Sequence, residues 1–258
     1  MTPQPPAHQR AAQRTVTAIA AFAIVTLAFA ANFFFNHTPK GAGVKAIPAF
    51  YAVVFFIGLG TLVPAWLLGK ITLGGTVTAR QLGIGASRRD AIAILVALIM
   101  GAAFAAVPLA PLLRDPAGLR LLHSLFANLL VASTAEVLLF LGVLGVAVRA
   151  LLGRGDDWPT RATIIVVSSV AFGLFHFTYP EPWNTAATAA MLTLFWMATS
   201  LLFVLSRSLL AAIVFDNILA VVGFARNGLG LPQSALGGWL LAAAALAGFV
   251  LVFRLARR

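Results

Sequence analysis

Long apolar runs alternate with short polar ones along almost the whole chain. A helix that crosses a bilayer needs about 20 largely apolar residues. Eight stretches meet or approach that length: Val16–Phe35, Pro48–Leu68, Ala91–Leu113, Leu121–Leu152, Ala162–Phe177, Ala187–Leu205, Leu209–Phe224 and Ala235–Phe253. The pattern predicts an all-α fold, a polytopic bundle of about eight transmembrane helices. At about 1.5 Å per residue the fourth run is longer than a membrane is thick, which predicts a tilt, a kink or an extension past the interface. The runs between Ala162 and Phe224 are short, as spans that border a cavity rather than lipid often are.

Composition sharpens this picture. Of 258 residues, 61% are hydrophobic and 10% charged, with a mean hydropathy of +0.98. Soluble domains carry about 45–50% apolar and about 25% charged residues, so a soluble fold of this length cannot hide the apolar surface and the bilayer is the first partner. No polar stretch is long enough for a separate soluble domain. The formal charge of +11 does not indicate nucleic acid, because the basic residues sit in short clusters between apolar runs. Cysteine is absent, which excludes disulfides, thiolate chemistry and cysteine metal sites.

The clusters also give an orientation. With eight spans both termini share a side. Lys40, Lys45, Arg114, Arg120 and Arg226 fall on one side, and the other thirteen of the eighteen basic residues on the side of the termini. The positive-inside rule therefore predicts a multi-pass protein of the cell membrane with cytoplasmic N- and C-termini. Residues 1–14, with Pro3, Pro5 and Pro6, read as a disordered cytoplasmic tail, and residues 15–258 as a single transmembrane helical domain. Arg10, Arg14, the following apolar run and Ala28-Phe29-Ala30 resemble a cleavable signal peptide. The run stays apolar through Phe35, so it reads as an uncleaved first helix; cleavage leaves seven spans.

Candidate chemistry comes from polar residues inside apolar runs. Asp90, Asp115, Asp156, Asp157 and Glu181 fall in loops or at helix ends, whereas Glu136 and Asp216 lie well inside runs. Among the histidines, His176 alone sits deep in a run, within Phe172-Gly173-Leu174-Phe175-His176-Phe177. A charge at mid-bilayer costs roughly 2.5–3.5 kcal/mol on insertion scales, so such residues normally face a bundle interior. Glu136 is about 24 Å of helix from Leu152 and His176 about 21 Å from Ala162, so the two can meet at similar depth. Asp216, about 12 Å in from Ser208, is shallower. Each of the three can instead tie helices together by bonding a backbone carbonyl or a neighbouring amide. Ser133, Thr134, Ser168, Ser169 and Thr199 read as helix-packing groups. A catalytic zinc wants about three protein ligands, and one deep histidine beside two carboxylates does not provide them; no metal and no other cofactor is expected.

The segments around these residues resemble the CPBP (Abi) family of CAAX-prenyl proteases and bacteriocin-processing intramembrane proteases. Ala135-Glu136-Val137-Leu138-Leu139-Phe140-Leu141 is similar to the family's Glu-Glu-x-x-x-Arg motif. Phe172 to His176 matches Phe-x-x-x-His in full, with Ser168 and Ser169 upstream. Ser208 to Asn217 is similar to the third motif, His-x-x-x-Asn or a variant. The resemblance covers roughly residues 121–224. Four family residues differ: the second Glu is Val137, the Arg is Leu141, the third-motif His is Asp216 and its Asn four residues on is Ala220. Val137 and Leu141, at i and i+4, share a helix face, so a charged pair has been exchanged on both sides for an apolar one. That exchange is often neutral for a fold, whereas losing one partner costs about 3–5 kcal/mol.

The resemblance implies that Glu136 and His176 activate water for attack on a peptide carbonyl, Glu136 as general base and His176 as proton relay. It also implies that Phe172 and Phe140, four residues from His176 and Glu136, line the substrate site. Third-motif residues of the family stabilise an oxyanion, a role open to a protonated Asp216 or to Asn217; alternatively Asp216 orients His176. The expected partner is a membrane-associated peptide or protein substrate. Two other readings stay open: a catalytically degenerate member that binds a membrane protein or peptide as a binding or immunity protein, and a proton-coupled transporter using Glu136 and Asp216.

Overall fold

The structure, a computed structural model, describes residues 7–46, 48–73, 78, 82–83, 87–153 and 157–229. Six helices among them are long and apolar enough to cross a membrane: Ala11–His37, Ala49–Thr72, Arg88–Leu113, Pro116–Leu152, Trp158–Thr178 and Ala186–Ser206. A seventh apolar helix, Leu209–Ala225, is shorter. The described residues are overwhelmingly helical and carry no strand. The expected multi-pass all-α membrane bundle is therefore present. The run Ala235–Phe253 lies outside the described residues.

The chain falls into two compact units, residues 1–82 with 135–200, and residues 83–134 with 201–258. In the first unit, helix α1 (Ala7–His37) is followed by the short α2 (Pro39–Lys45). The second span joins α3 (Pro48–Tyr51), a π-helical stretch Ala52–Leu62 and α4 (Val63–Leu73). Helix α1 begins at Ala7 rather than after residue 14, because Ala, Gln and Arg in this stretch are good helix formers. It therefore takes in much of the segment expected to be a disordered tail, and residues 1–6 are outside the described set.

The long fourth run is one continuous helical rod of 37 residues. It starts as α6 (Pro116–Val137), loosens into π-helical turns over Leu138–Val143 and ends as α7 (Leu144–Leu152). Gly153, in the left-handed conformation at φ 61°, ends the rod, and Arg14 of α1 caps it by donating to the Gly153 carbonyl at 3.3 Å. Helix α1 packs along α7.

Asp157, expected at a helix end, caps α8 (Trp158–Phe175) by accepting from the Thr160 backbone N–H at 2.9 Å. A single 3-10 turn, His176–Thr178, closes that span. Helix α9 (Ala186–Ser206) lies tight against α8, since a Cβ on Gly173 would stand 2.0 Å from Thr193 Oγ1 and 2.7 Å from the Ala189 carbonyl. Buried hydroxyls join the two helices: Ser168 and Ser200 lie 3.0 Å apart. These serines are helix-packing groups, as their positions in the sequence suggested.

The second unit is built on α5 (Arg88–Leu113), most of α6 and α10 (Leu209–Leu229). Ser87 and Asp90 form a reciprocal capping box at the start of α5. Gly101 of α5 lets Ile218 of α10 come so close that an added Cβ would lie 2.4 Å from Ile218 Cδ1. Side chains such as Val16, Ile19, Trp66, Leu95 and Ile99 are more than half exposed, as lipid-facing apolar residues are.

Candidate active site

The first unit is cored by aromatic rings. Phe140, in the π-helical turns, meets Phe172 of α8 at 5.7 Å, Phe175 at 5.3 Å and Trp196 of α9 at 6.0 Å between centroids. Phe29 of α1 closes the cluster against Phe175 at 5.0 Å. Phe140 and Phe172 are both buried, at 0% and 5% exposure, so their surfaces are spent on packing within this unit.

His176 sits on the edge of this cluster. Its ring makes a 4.6 Å edge contact with Phe172, and its Nδ1 lies 2.9 Å from the Phe172 carbonyl. A carbonyl oxygen only accepts, so Nδ1 carries the hydrogen and donates; in the neutral ring Nε2 then presents a lone pair. The backbone that ends α8 thereby sets the tautomer that a proton acceptor needs.

Glu136 stands on the last turn of α6, just before the winding changes. Its Cα position is backed by a close helix approach, for a Cβ on Gly60 would lie 2.5 Å from the Ala135 Cβ. The side chain is half-buried and accepts a hydrogen bond from the Tyr179 hydroxyl at 3.4 Å. The Tyr179 ring lies over His176 at 5.2 Å between centroids, with 31° between planes. One tyrosine thus touches two of the three ionisable residues that the sequence singled out. The second of the chain's two tyrosines, Tyr51, is also close enough to feel the Glu136 charge.

A polar network flanks this pair. Asn32 of α1, fully buried, donates through Nδ2 to Thr178 Oγ1 at 2.7 Å and accepts at Oδ1 from the Tyr51 hydroxyl at 3.1 Å and from Asn36 Nδ2 at 3.0 Å. Thr178 in turn donates to the Phe175 carbonyl at 2.6 Å. Asn36 also accepts from the Lys45 ammonium, which lies 5.9 Å from the Tyr51 ring centroid. Partial removal from water holds the Lys45 amine below the ordinary lysine value.

Asp216 and Asn217 belong to the second unit. Asp216 is 5% exposed, its Oδ2 makes no hydrogen bond of ordinary geometry, and the Ser133 hydroxyl is the side chain that interacts with it. Asn217 ties α10 to α6 by donating to the Phe126 carbonyl at 2.9 Å, and its Oδ1 is buried without a partner. The structure therefore brings Glu136, His176, Phe140 and Phe172 into one unit and places the other two expected residues in the second.

Val137 and Leu141, which stand where the resemblance has a Glu and an Arg, are 0% and 1% exposed. The exchanged pair is part of the packed core. Tyr179, Asn32 and Tyr51 are polar neighbours that the motifs did not flag. The scarcity of tyrosine, two in 258 residues, was the one available signal.

Fold and site together define a polytopic membrane protein with a carboxylate–histidine pair set on an aromatic core. Residues 118–222 match the family model of the type II CAAX prenyl endopeptidases, Rce1-like. Over that stretch the chain is similar to the Rce1-like endopeptidases, in agreement with the CPBP resemblance of its motifs. The matched region contains Glu136, His176, Tyr179, Asp216 and Asn217. No curated protein and no solved structure matches the chain.

Proposed function

We propose that the protein is an intramembrane endopeptidase that hydrolyses a peptide bond of a membrane-associated protein or peptide with glutamate-activated water. The observation that carries this reading is the joint contact of Tyr179 with Glu136 and His176 inside the matched domain. Glu136 takes a proton from water, whose oxygen bonds to the scissile carbonyl carbon. His176, with Nδ1 engaged and Nε2 free to accept, relays that proton to the departing amine as the C–N bond breaks. Phe172 and Phe140 form the apolar wall behind the substrate site. The motif resemblance assigns Asp216 and Asn217, which lie in the second unit, the role of hydrogen-bonding groups toward the carbonyl oxygen. The charge asymmetry of the chain supports cytoplasmic termini in the cell membrane, so that the Asn32–Tyr51 end of the first unit faces away from the cytoplasm.

The test is cleavage of membrane-anchored peptides by purified protein in detergent, wild type beside Glu136→Gln and His176→Ala. Loss of cleavage in both variants, with helicity kept, is expected; unchanged cleavage in both rejects the reading. A second reading, a non-catalytic membrane binding or immunity protein, is favoured by the apolar packing of Val137 and Leu141. It predicts that Glu136→Gln still complements a deletion strain.

A further inference from the structure

Hydrolysis of an amide needs a donor for the negative charge that develops on the carbonyl oxygen, and a dry, apolar unit has few. Among the described residues of the first unit, Tyr51 and Tyr179 place their side chains near Glu136. The hydroxyl of Tyr51 is engaged with Asn32 at 3.1 Å. That of Tyr179 rests on Glu136 at 3.4 Å, a long bond for O–H···O and therefore a weak one. Its ring is half-buried and packs against Phe175, at 5.5 Å, and His176, at 5.2 Å, so the hydroxyl is held at Glu136 while the ring lies against His176.

We propose that Tyr179 is a further catalytic residue, a donor to the oxyanion from the first unit, and that Asn32 is the positioning residue that holds it. This rests on the glutamate-protease reading. In the resting site the phenol donates to the Glu136 carboxylate. Once Glu136 has taken a proton from water it is a poor acceptor, while the carbonyl oxygen has received the C=O π electrons and become the strongest acceptor nearby. The Tyr179 hydroxyl turns to that oxygen, holds it through the tetrahedral intermediate, and returns to Glu136 when the carbonyl re-forms, the C–N bond breaks and the proton leaves with the amine. The phenol keeps its own proton throughout.

Asn32 fixes the geometry from outside. Its amide bonds Thr178, the residue just before Tyr179, and Thr178 ties back to the Phe175 carbonyl at the end of α8. The Tyr179 backbone N–H donates to the His176 carbonyl at 3.1 Å, so the turn that carries both side chains is pinned at each end. A fully buried asparagine in an apolar helix is costly unless its groups are bonded. Here both of its polar atoms are bonded, and every bond leads to the two tyrosines or to their supports.

The experiment measures kcat and KM on a membrane-anchored peptide library, together with affinity for a peptide aldehyde whose hydrate mimics the tetrahedral intermediate. Wild type is compared with Glu136→Gln, Tyr179→Phe, Asn32→Leu and the Asn32→Leu/Tyr179→Phe double variant. Removal of one oxyanion donor costs about 10²–10³ in kcat; Tyr179→Phe is expected to fall in that range with KM within about twofold, and to weaken aldehyde binding. Asn32→Leu lowers kcat with KM held. The double variant is no slower than Tyr179→Phe, because Asn32 acts through Tyr179. Wild-type kcat in Tyr179→Phe beside an inactive Glu136→Gln overturns this proposal and leaves the glutamate reading standing. Additive losses in the double variant overturn the role of Asn32. A wild-type protein that neither cleaves nor binds the aldehyde, or a fully active Glu136→Gln, overturns both readings.

Discussion

Phe172 lies flat on Trp196, with 3.7 Å between ring centroids and 15° between planes, and the edge of the same Phe172 ring carries His176. The stack fixes the spacing of α8 and α9 at the depth of the histidine. It also explains why an aromatic residue sits four positions before His176: its carbonyl holds Nδ1 and its ring supports the imidazole. Phe172→Ala removes both the stack and the seat. Truncating a buried Phe costs about 3–5 kcal/mol, so a large fall in the detergent melting temperature is expected. Turnover falls further than folded fraction, because His176 loses its support. Melting followed by circular dichroism checks the first statement, and kcat per folded molecule the second.

Two glycines of the second span make a matched pair. A Cβ at Gly60 would lie 2.5 Å from the Ala135 Cβ and 3.5 Å from its Cα, atoms that cannot swing aside. At Gly69 nothing lies within 4 Å of the same added atom. Gly60→Ala is expected to cost about 1–3 kcal/mol through overpacking and to slow turnover by displacing Glu136, the next residue along. Gly69→Ala gains about 0.5–1 kcal/mol from helix propensity. Unfolding midpoints of the two variants, compared with wild type, give the signs directly.

The buried pair Val137 and Leu141 offers a test of how the departure from the family motif is tolerated. A lone charge at either position is stranded in a core that is 0% and 1% exposed there, so Val137→Glu or Leu141→Arg alone should cost about 3–5 kcal/mol. In the double variant the charges meet on adjacent turns, and part of the loss returns. A coupling of about 0.5–3 kcal/mol is expected from the double-mutant cycle. Strict additivity would show that the π-helical turns over Leu138–Val143 keep the two side chains apart.

The spans were legible because lipid demands long apolar runs whatever their neighbours; each run from Val16 to Phe224 became helical, most within about five residues of their read limits, and the first starts nine residues early, at Ala7. Asp90 and Asp157, which the structure makes caps, were legible only as residues of loops or helix ends. The π-helical turns were not, since a change of winding leaves no pattern in uniformly apolar sequence and is settled by packing. Glu136 and His176 stood out as ionisable groups in apolar runs, and the structure joins them through Tyr179. Tyr179 itself was hidden. It falls just past the apolar run, in Thr178-Tyr179-Pro180-Glu181, where a polar side chain reads as loop. Asn32 was hidden for the opposite reason: one neutral amide within Ala30-Ala31-Asn32-Phe33 does not interrupt the hydropathy of α1.

Asp216 shows stability and chemistry pulling apart. Its carboxyl is 5% exposed in an apolar helix, with Oδ2 lacking an ordinary hydrogen bond and the neighbouring Ser133 hydroxyl likewise unmatched. Burying a carboxyl that way destabilises a fold, and asparagine has the same shape without the ionisable group. Asp216→Asn is therefore expected to raise the melting temperature, by about 2–4 °C for each kcal/mol recovered, while lowering kcat at least about tenfold. Each half of that result is informative by itself. A lower melting temperature means that the carboxyl makes a bond the fold depends on. An unchanged kcat removes Asp216 from the catalytic set and leaves Glu136, His176 and Tyr179 to carry the reaction from the first unit.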